Sequence, residues 1–106
     1  MDVQIHGNPD YGELFVRLDA GETISIEGGA MSRMTPTLQM RSRIMGGILA
    51  GLVRKLFGGE SLFVGEYGGT GAGELALSPS LPGMVCHRRL DGEQLFLTAG
   101  SFLACT

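Results

Sequence analysis

Alternation of apolar and polar residues, broken every few positions by glycine, is the feature that most restricts this chain. Leu14, Val16 and Leu18 fall on one face of an extended segment, and Phe15 and Arg17 fall on the other. Ile24 and Ile26 alternate with Ser25 and Glu27; Leu75 and Leu77 alternate with Glu74, Ala76 and Ser78. Phe63–Tyr67, Met84–Arg88 and Leu95–Thr98 are further candidate strands. Between them lie turn signals: Gly7-Asn8-Pro9-Asp10, Gly21-Glu22, Gly28-Gly29, Gly68-Gly69, Pro82-Gly83 and Asp91-Gly92. Short strands at this spacing predict an all-β sandwich or barrel.

A chain of 106 residues suits one domain. Its 18 glycines have no collagen-like period, and 43% of the residues are hydrophobic, which predicts an ordered, turn-rich domain. A net charge of −3 and a pI near 5.2 argue against a dedicated nucleic-acid binder. The N-terminal MDVQIHGNPD lacks the basic-then-apolar order of a signal peptide, and Cys86 and Cys105 do not make a disulfide framework. The expectation is two free thiols in a cytoplasmic protein, with peripheral membrane contact left open.

The chain also resembles itself. Leu18–Met31 (LDAGETISIEGGAM) aligns with Leu90–Ala104 (LDGEQLFLTAGSFLA) after one deletion. Gly21 meets Gly92, Glu22 meets Glu93, Ile24 meets Leu95, Ile26 meets Leu97 and Gly29 meets Gly100, all 71 residues apart. This divides the chain into a first β-repeat, residues 1–83, and the start of a second, residues 84–106. The second copy stops where the first still has strands to come, so the chain reads as part of a longer protein. Ser101–Cys105 is then expected to lack a partner within the chain, pairing with a neighbouring subunit or fraying.

The stretch Gly46–Ser61 (GGILAGLVRKLFGGES) breaks the strand pattern. Its apolar span is too short to cross a bilayer, which needs about 20 residues. Gly46 and Gly51 have phosphate-loop spacing, but Leu52 stands where that loop requires lysine. The later Gly68–Gly73 (GGTGAG) lacks dinucleotide spacing and reads as a flexible hairpin. Ile48, Leu49, Leu52, Val53, Leu56 and Phe57 share one helical face, which predicts an amphipathic helix over 47–57 with Leu52 and Leu56 buried against protein. Arg41, Arg43, Arg54 and Lys55, half of the eight basic residues, gather around it. Arg41, Arg43, Leu49, Leu52, Arg54, Lys55 and Leu56 are therefore the candidate interaction surface, facing the protein itself, a second copy, or an anionic membrane.

The blocks GETISIEGGAMSRM (Gly21–Met34), GGILAGLVRKLFGGESLF (Gly46–Phe63), LSPSLPG (Leu77–Gly83) and GSFLA (Gly100–Ala104) carry a resemblance. In that order the chain resembles the altered inheritance of mitochondria protein 24 family. The resemblance implies a double-stranded β-helix similar to the tryptophan-attenuation RNA-binding protein. It implies two such halves in tandem and assembly as rings or trimers. It brings no catalytic residues; eukaryotic members look linked to mitochondrial inner-membrane organisation, and bacterial members have no agreed role.

Chemistry is sparse. His6 and His87 are the only histidines, too few for a cupin-like metal cluster, and His87 beside Cys86 points to the opposite strand face. No catalytic, metal or cofactor residue is assigned. The fold expectation is thus an all-β double-stranded β-helix or barrel with one inserted helix. The functional expectation is a non-enzymatic, oligomer-forming scaffold or interaction module, a homo-oligomer such as a trimer, with an anionic membrane as a candidate partner and nucleic acid disfavoured. The alternative is a small-ligand-binding or enzymatic β-helix, or an RNA-binding ring.

Overall fold

In the computed structural model, which describes residues 1–44, 63–98 and 100–106, eight strands form two open antiparallel sheets. The strands are β1 (Asp2–His6), β2 (Glu13–Leu18), β3 (Thr23–Glu27), β4 (Met31–Met34), β5 (Gln39–Ile44), β6 (Phe63–Gly68), β7 (Gly73–Leu77) and β8 (Ala104–Cys105). The first sheet runs β1-β2-β7-β4 and the second β5-β6-β3-β8. Among the described residues there is no helix.

Alternation explains which face each strand buries. Leu14, Val16 and Leu18 of β2, Ile24 and Ile26 of β3, and Leu75 and Leu77 of β7 all belong to one buried cluster, closed by Leu38, Tyr67 and Val85. Leu18, Ile26 and Leu77 are wholly buried. Each such side chain contributes about 1.5–3 kcal/mol when taken out of water. Register follows, because a one-residue slip would turn the whole apolar set to solvent. Val16 accordingly faces Leu75, and Leu14 faces Leu77.

The expected double-stranded β-helix or barrel, and with it the likeness to the tryptophan-attenuation RNA-binding protein, is corrected. A barrel closes only when its edge strands hydrogen-bond each other. Here β1 and β4 end one sheet and β5 and β8 end the other, so the sheets are open. The helix expected over 47–57 lies outside the described residues. Three further expectations change. Gly68–Gly73 is not a hairpin: it carries the chain from β6 in one sheet to β7 in the other. Met84–Arg88 and Leu95–Thr98 form no strand. The last strand does have a partner within the chain, with Cys105 opposite Ser25 and Ala104 opposite Ile26.

The glycines of the two aligned segments share a backbone conformation. Gly21 and Gly92 have φ of 81° and 80°, and Gly29 and Gly100 have 86° and 84°. The same turn bond follows in each copy: Ala30 N–H donates to Glu27 C=O and Ser101 N–H to Thr98 C=O, both at 3.1 Å. Glycine enters left-handed φ without the steric cost of a Cβ, and a turn of this kind needs it at the third position.

Candidate interaction site

After β7 the chain leaves the sheets and is tied down at a few points. Asn8 acts as a clamp: its Nδ2 donates to Val85 C=O and its Oδ1 accepts Val85 N–H, both at 2.9 Å. Gly12 N–H donates to Gly83 C=O at 2.8 Å, and Gly83 N–H to Asp10 C=O at 2.7 Å. Val85 is thereby sunk into the core. The second anchor is β8, where Glu27 N–H donates to Leu103 C=O at 2.8 Å.

Between these anchors the chain bridges an open crevice of about 1380 Å³, whose walls include Val3, Leu14, Ile24, Leu95, Leu97 and Leu103. Residues 81–97 do not fill it with their apolar groups. Leu81 is 76% exposed, Met84 62%, Leu90 47%, Leu95 47% and Phe96 71%. These percentages matter because the leucines of β2 and β7, Leu14, Leu18, Leu75 and Leu77, are buried.

A second feature lies on the outer face of the first sheet. Phe15 is half-buried at its centre; His6 meets the ring edge-on at 5.0 Å and 88°, and the Arg33 guanidinium lies 5.3 Å above its centroid. Both contacts are favoured by the ring's negative face and positive edge. Beside them Arg17 donates to Glu74 Oε1 at 2.8 Å. The groove here holds about 640 Å³ and is lined also by Asp2 and Glu13. Three carboxylates (Asp2, Glu13, Glu74) face two guanidiniums (Arg17, Arg33), so the groove is of mixed sign, and an exposed ion pair adds little. The Phe15–Arg33 contact is missing from the sequence reading because it depends on β4 lying across β7 from β2.

No cluster of three or more His, Cys, Asp or Glu able to hold a metal occurs among the described residues. Cys86 and Cys105 are free. Desolvation pushes the Cys105 thiol up, the opposite of what an activated nucleophile needs. The expected surface is only partly in view. Arg41 and Arg43 sit on β5, an edge strand, opposite Glu66 and Val64. Leu49, Leu52, Arg54, Lys55 and Leu56 lie outside the described residues. Among the described residues no helix is long and apolar enough to cross a membrane.

Two open antiparallel sheets followed by a C-terminal segment tied down at Val85 and β8 define an all-β domain. Residues 3–106 match the family described as Mitochondrial biogenesis AIM24, and the chain belongs to it. An uncharacterized protein of Streptococcus pyogenes serotype M6 is 30% identical over 95 residues, a match covering 84% of this chain and 38% of that protein. The crystal structure of a Streptococcus pyogenes protein superimposes with a TM-score of 0.69 at 25% identity, covering 97% of this chain and 49% of that one. The chain thus spans less than half the length of these two proteins.

Proposed function

We propose that this protein is a non-catalytic β-domain that associates with copies of itself and serves as a scaffold or interaction module. The observation that carries this reading is the set of exposed large apolar side chains Leu81, Met84, Leu90 and Leu95 at an open crevice, with Phe96 exposed next to them in sequence. Monomers rarely leave contiguous apolar patches of more than a few hundred Å² in water. Homo-oligomers bury such patches at subunit interfaces.

Light scattering at micromolar concentration tests it. The wild type is expected to run as a homo-oligomer and Leu95→Asp/Phe96→Asp as a smaller species with unchanged circular dichroism. A wild-type monomer would sink the reading. Contact with an anionic membrane is the accompanying proposal, supported by the exposed Arg41 on an edge strand and by the basic residues Arg43, Arg54 and Lys55. Sedimentation with phosphatidylserine vesicles checks it: binding should weaken in Arg54→Ala/Lys55→Ala, and no wild-type binding at low salt rejects it.

A further inference from the structure

We infer that the open edge of β4 is the docking site for residues Gln94–Thr98 of a second copy, which add a fifth strand to the first sheet. The inference rests on the self-association reading and gives it an interface and a register.

The repeat supplies the argument. At a separation of 71 residues, β8 (Ala104–Cys105) is the second copy of Arg33–Met34 in β4, and Gln94–Thr98 is the second copy of β3. Matching φ at both glycine pairs and the matching Glu27–Ala30 and Thr98–Ser101 turn bonds give the two copies the same entry to the strand that follows. Within the chain β8 lies against β3, with Cys105 opposite Ser25 and Ala104 opposite Ile26. The repeats therefore meet by placing a β4-type strand beside a β3-type strand. One such pairing is made, and its counterpart, β4 beside Gln94–Thr98, is open.

The register transfers directly. Phe96 comes opposite Met34 and Leu97 opposite Arg33. Phe96 is 71% exposed and Met34 37%, and the pairing would cover each with the other. The hydrogen-bonding phase agrees. Thr35 N–H donates to Glu74 C=O of β7, so antiparallel alternation turns the N–H and C=O of Met34 toward the open edge. On the equivalent β8 residue, Cys105, the same groups turn toward β3, because Leu103 C=O two residues earlier accepts Glu27 N–H.

The occupant is a second copy and not the chain's own segment. Here Leu95 and Leu97 line the crevice beside Val3, Leu14 and Ile24, and no β4 residue lines it. Their exit is fixed by the Thr98–Ser101 turn and by β8, in the other sheet. The contact is heterologous: a β4 edge on one copy meets a Gln94–Thr98 strand on the next, continuing between copies the interface already present between repeats. Such contacts close as rings when the rotation allows.

Cysteine cross-linking on full chains tests it, in a Cys86→Ser/Cys105→Ser background that light scattering shows still associates. Paired β residues at this separation fall within disulfide reach. Met34→Cys and Phe96→Cys proteins, mixed and mildly oxidised, should give a covalent dimer that neither forms alone. A dimer of Phe96→Cys with itself would mean a two-fold interface and overturn the inference. So would a disulfide within monomers of the double variant Met34→Cys/Phe96→Cys, which assigns the edge to the chain's own segment. Association without any Met34–Phe96 cross-link rejects this register and leaves the self-association reading standing; no association at all rejects both.

Discussion

Leu18–Met31 and Leu90–Ala104 share a pattern and differ in outcome. In the first, Ile24 and Ile26 are buried at 5% and 0% exposure; in the second, their counterparts are Leu95, 47% exposed, and Leu97, half-buried. The turns agree to within two degrees of φ at each glycine pair, because a turn is decided by residues that are neighbours in sequence. The strands disagree because β3 lies between β6 and β8, whereas among the described residues Gln94–Thr98 has no strand on either side. Alternation makes a segment able to be a strand. A hydrogen-bonding neighbour makes it one.

The largest expected effect breaks that comparison at its centre. Ile26→Ala removes a wholly buried side chain and should lower stability by about 2–5 kcal/mol, including the cavity it leaves. Its counterpart Leu97→Ala, in a half-buried position without a ladder, should cost less than about 1 kcal/mol in a dilute sample. Urea denaturation of both, below the concentration at which the chain associates, measures the difference. Equal losses would mean that the second copy is packed as well as the first.

The next expectation concerns what holds the second copy in place. Asn8→Ala leaves the buried Val85 with neither partner for its N–H nor for its C=O, at a cost of about 1–3 kcal/mol. Loss of amide protection should be concentrated in residues 83–88, with β2 and β7 unchanged, by hydrogen exchange. Uniform loss would show that the clamp supports the whole core and not the segment.

How far the sequence reaches is clear from particular strands. Leu14–Leu18 and Ile24–Glu27 were legible because each buries alternate residues and so shows period two. The partition into sheets was not. β6 and β7 are joined by Gly68–Gly73 and look like a hairpin, yet belong to different sheets, since pairing depends on strands far apart in sequence, such as β7 with β2. Closure was misjudged for the same reason: no local signal says whether β1 and β4 meet. Of the candidate surface, sequence grouped Arg41 and Arg43 with a helix over 47–57 and gave no sign that both lie on the edge strand β5; the cluster of His6, Phe15 and Arg33 arises only from register across β1, β2, β7 and β4.

A smaller effect sharpens the turn half of the comparison. Gly29 and Gly100 both have open space where a Cβ would stand, so alanine there meets only the left-handed backbone. That costs about 1–2 kcal/mol per residue in either turn. In Gly29→Ala the loss should appear in global unfolding, because the turn joins β3 to β4. In Gly100→Ala it should appear as fraying of β8 alone, read from exchange at Ala104 and Cys105. A global loss from Gly100→Ala would mean that β8 unfolds together with the core.

The smallest expected effect belongs to the first copy only. The Met1 ammonium lies 2.9 Å from Glu22 Oε1, whose other oxygen accepts Asp19 N–H at 2.9 Å. The second copy has Glu93 at the matching position, where it meets Arg88 at 3.6 Å instead. The hydrogen bond it donates to Glu22 raises the ammonium above its ordinary value of 8.0, and accepting that bond lowers Glu22 below its ordinary 4.5. A raised cation stabilises fully below its unfolded value and loses that contribution as pH rises through its folded one. A lowered acid stabilises above its unfolded value and loses that contribution as pH falls through its folded one. The pair should therefore help most between 4.5 and 8.0 and fade on both sides. Both groups are partly open to solvent, so salt should weaken it. Melting temperatures of wild type and Glu22→Gln across pH check this: the gap should be widest inside that window and narrow toward both ends. A gap that stays constant would show that the amide does what the carboxylate does, and that the turn's hydrogen bond to Asp19, not the charge, is what matters.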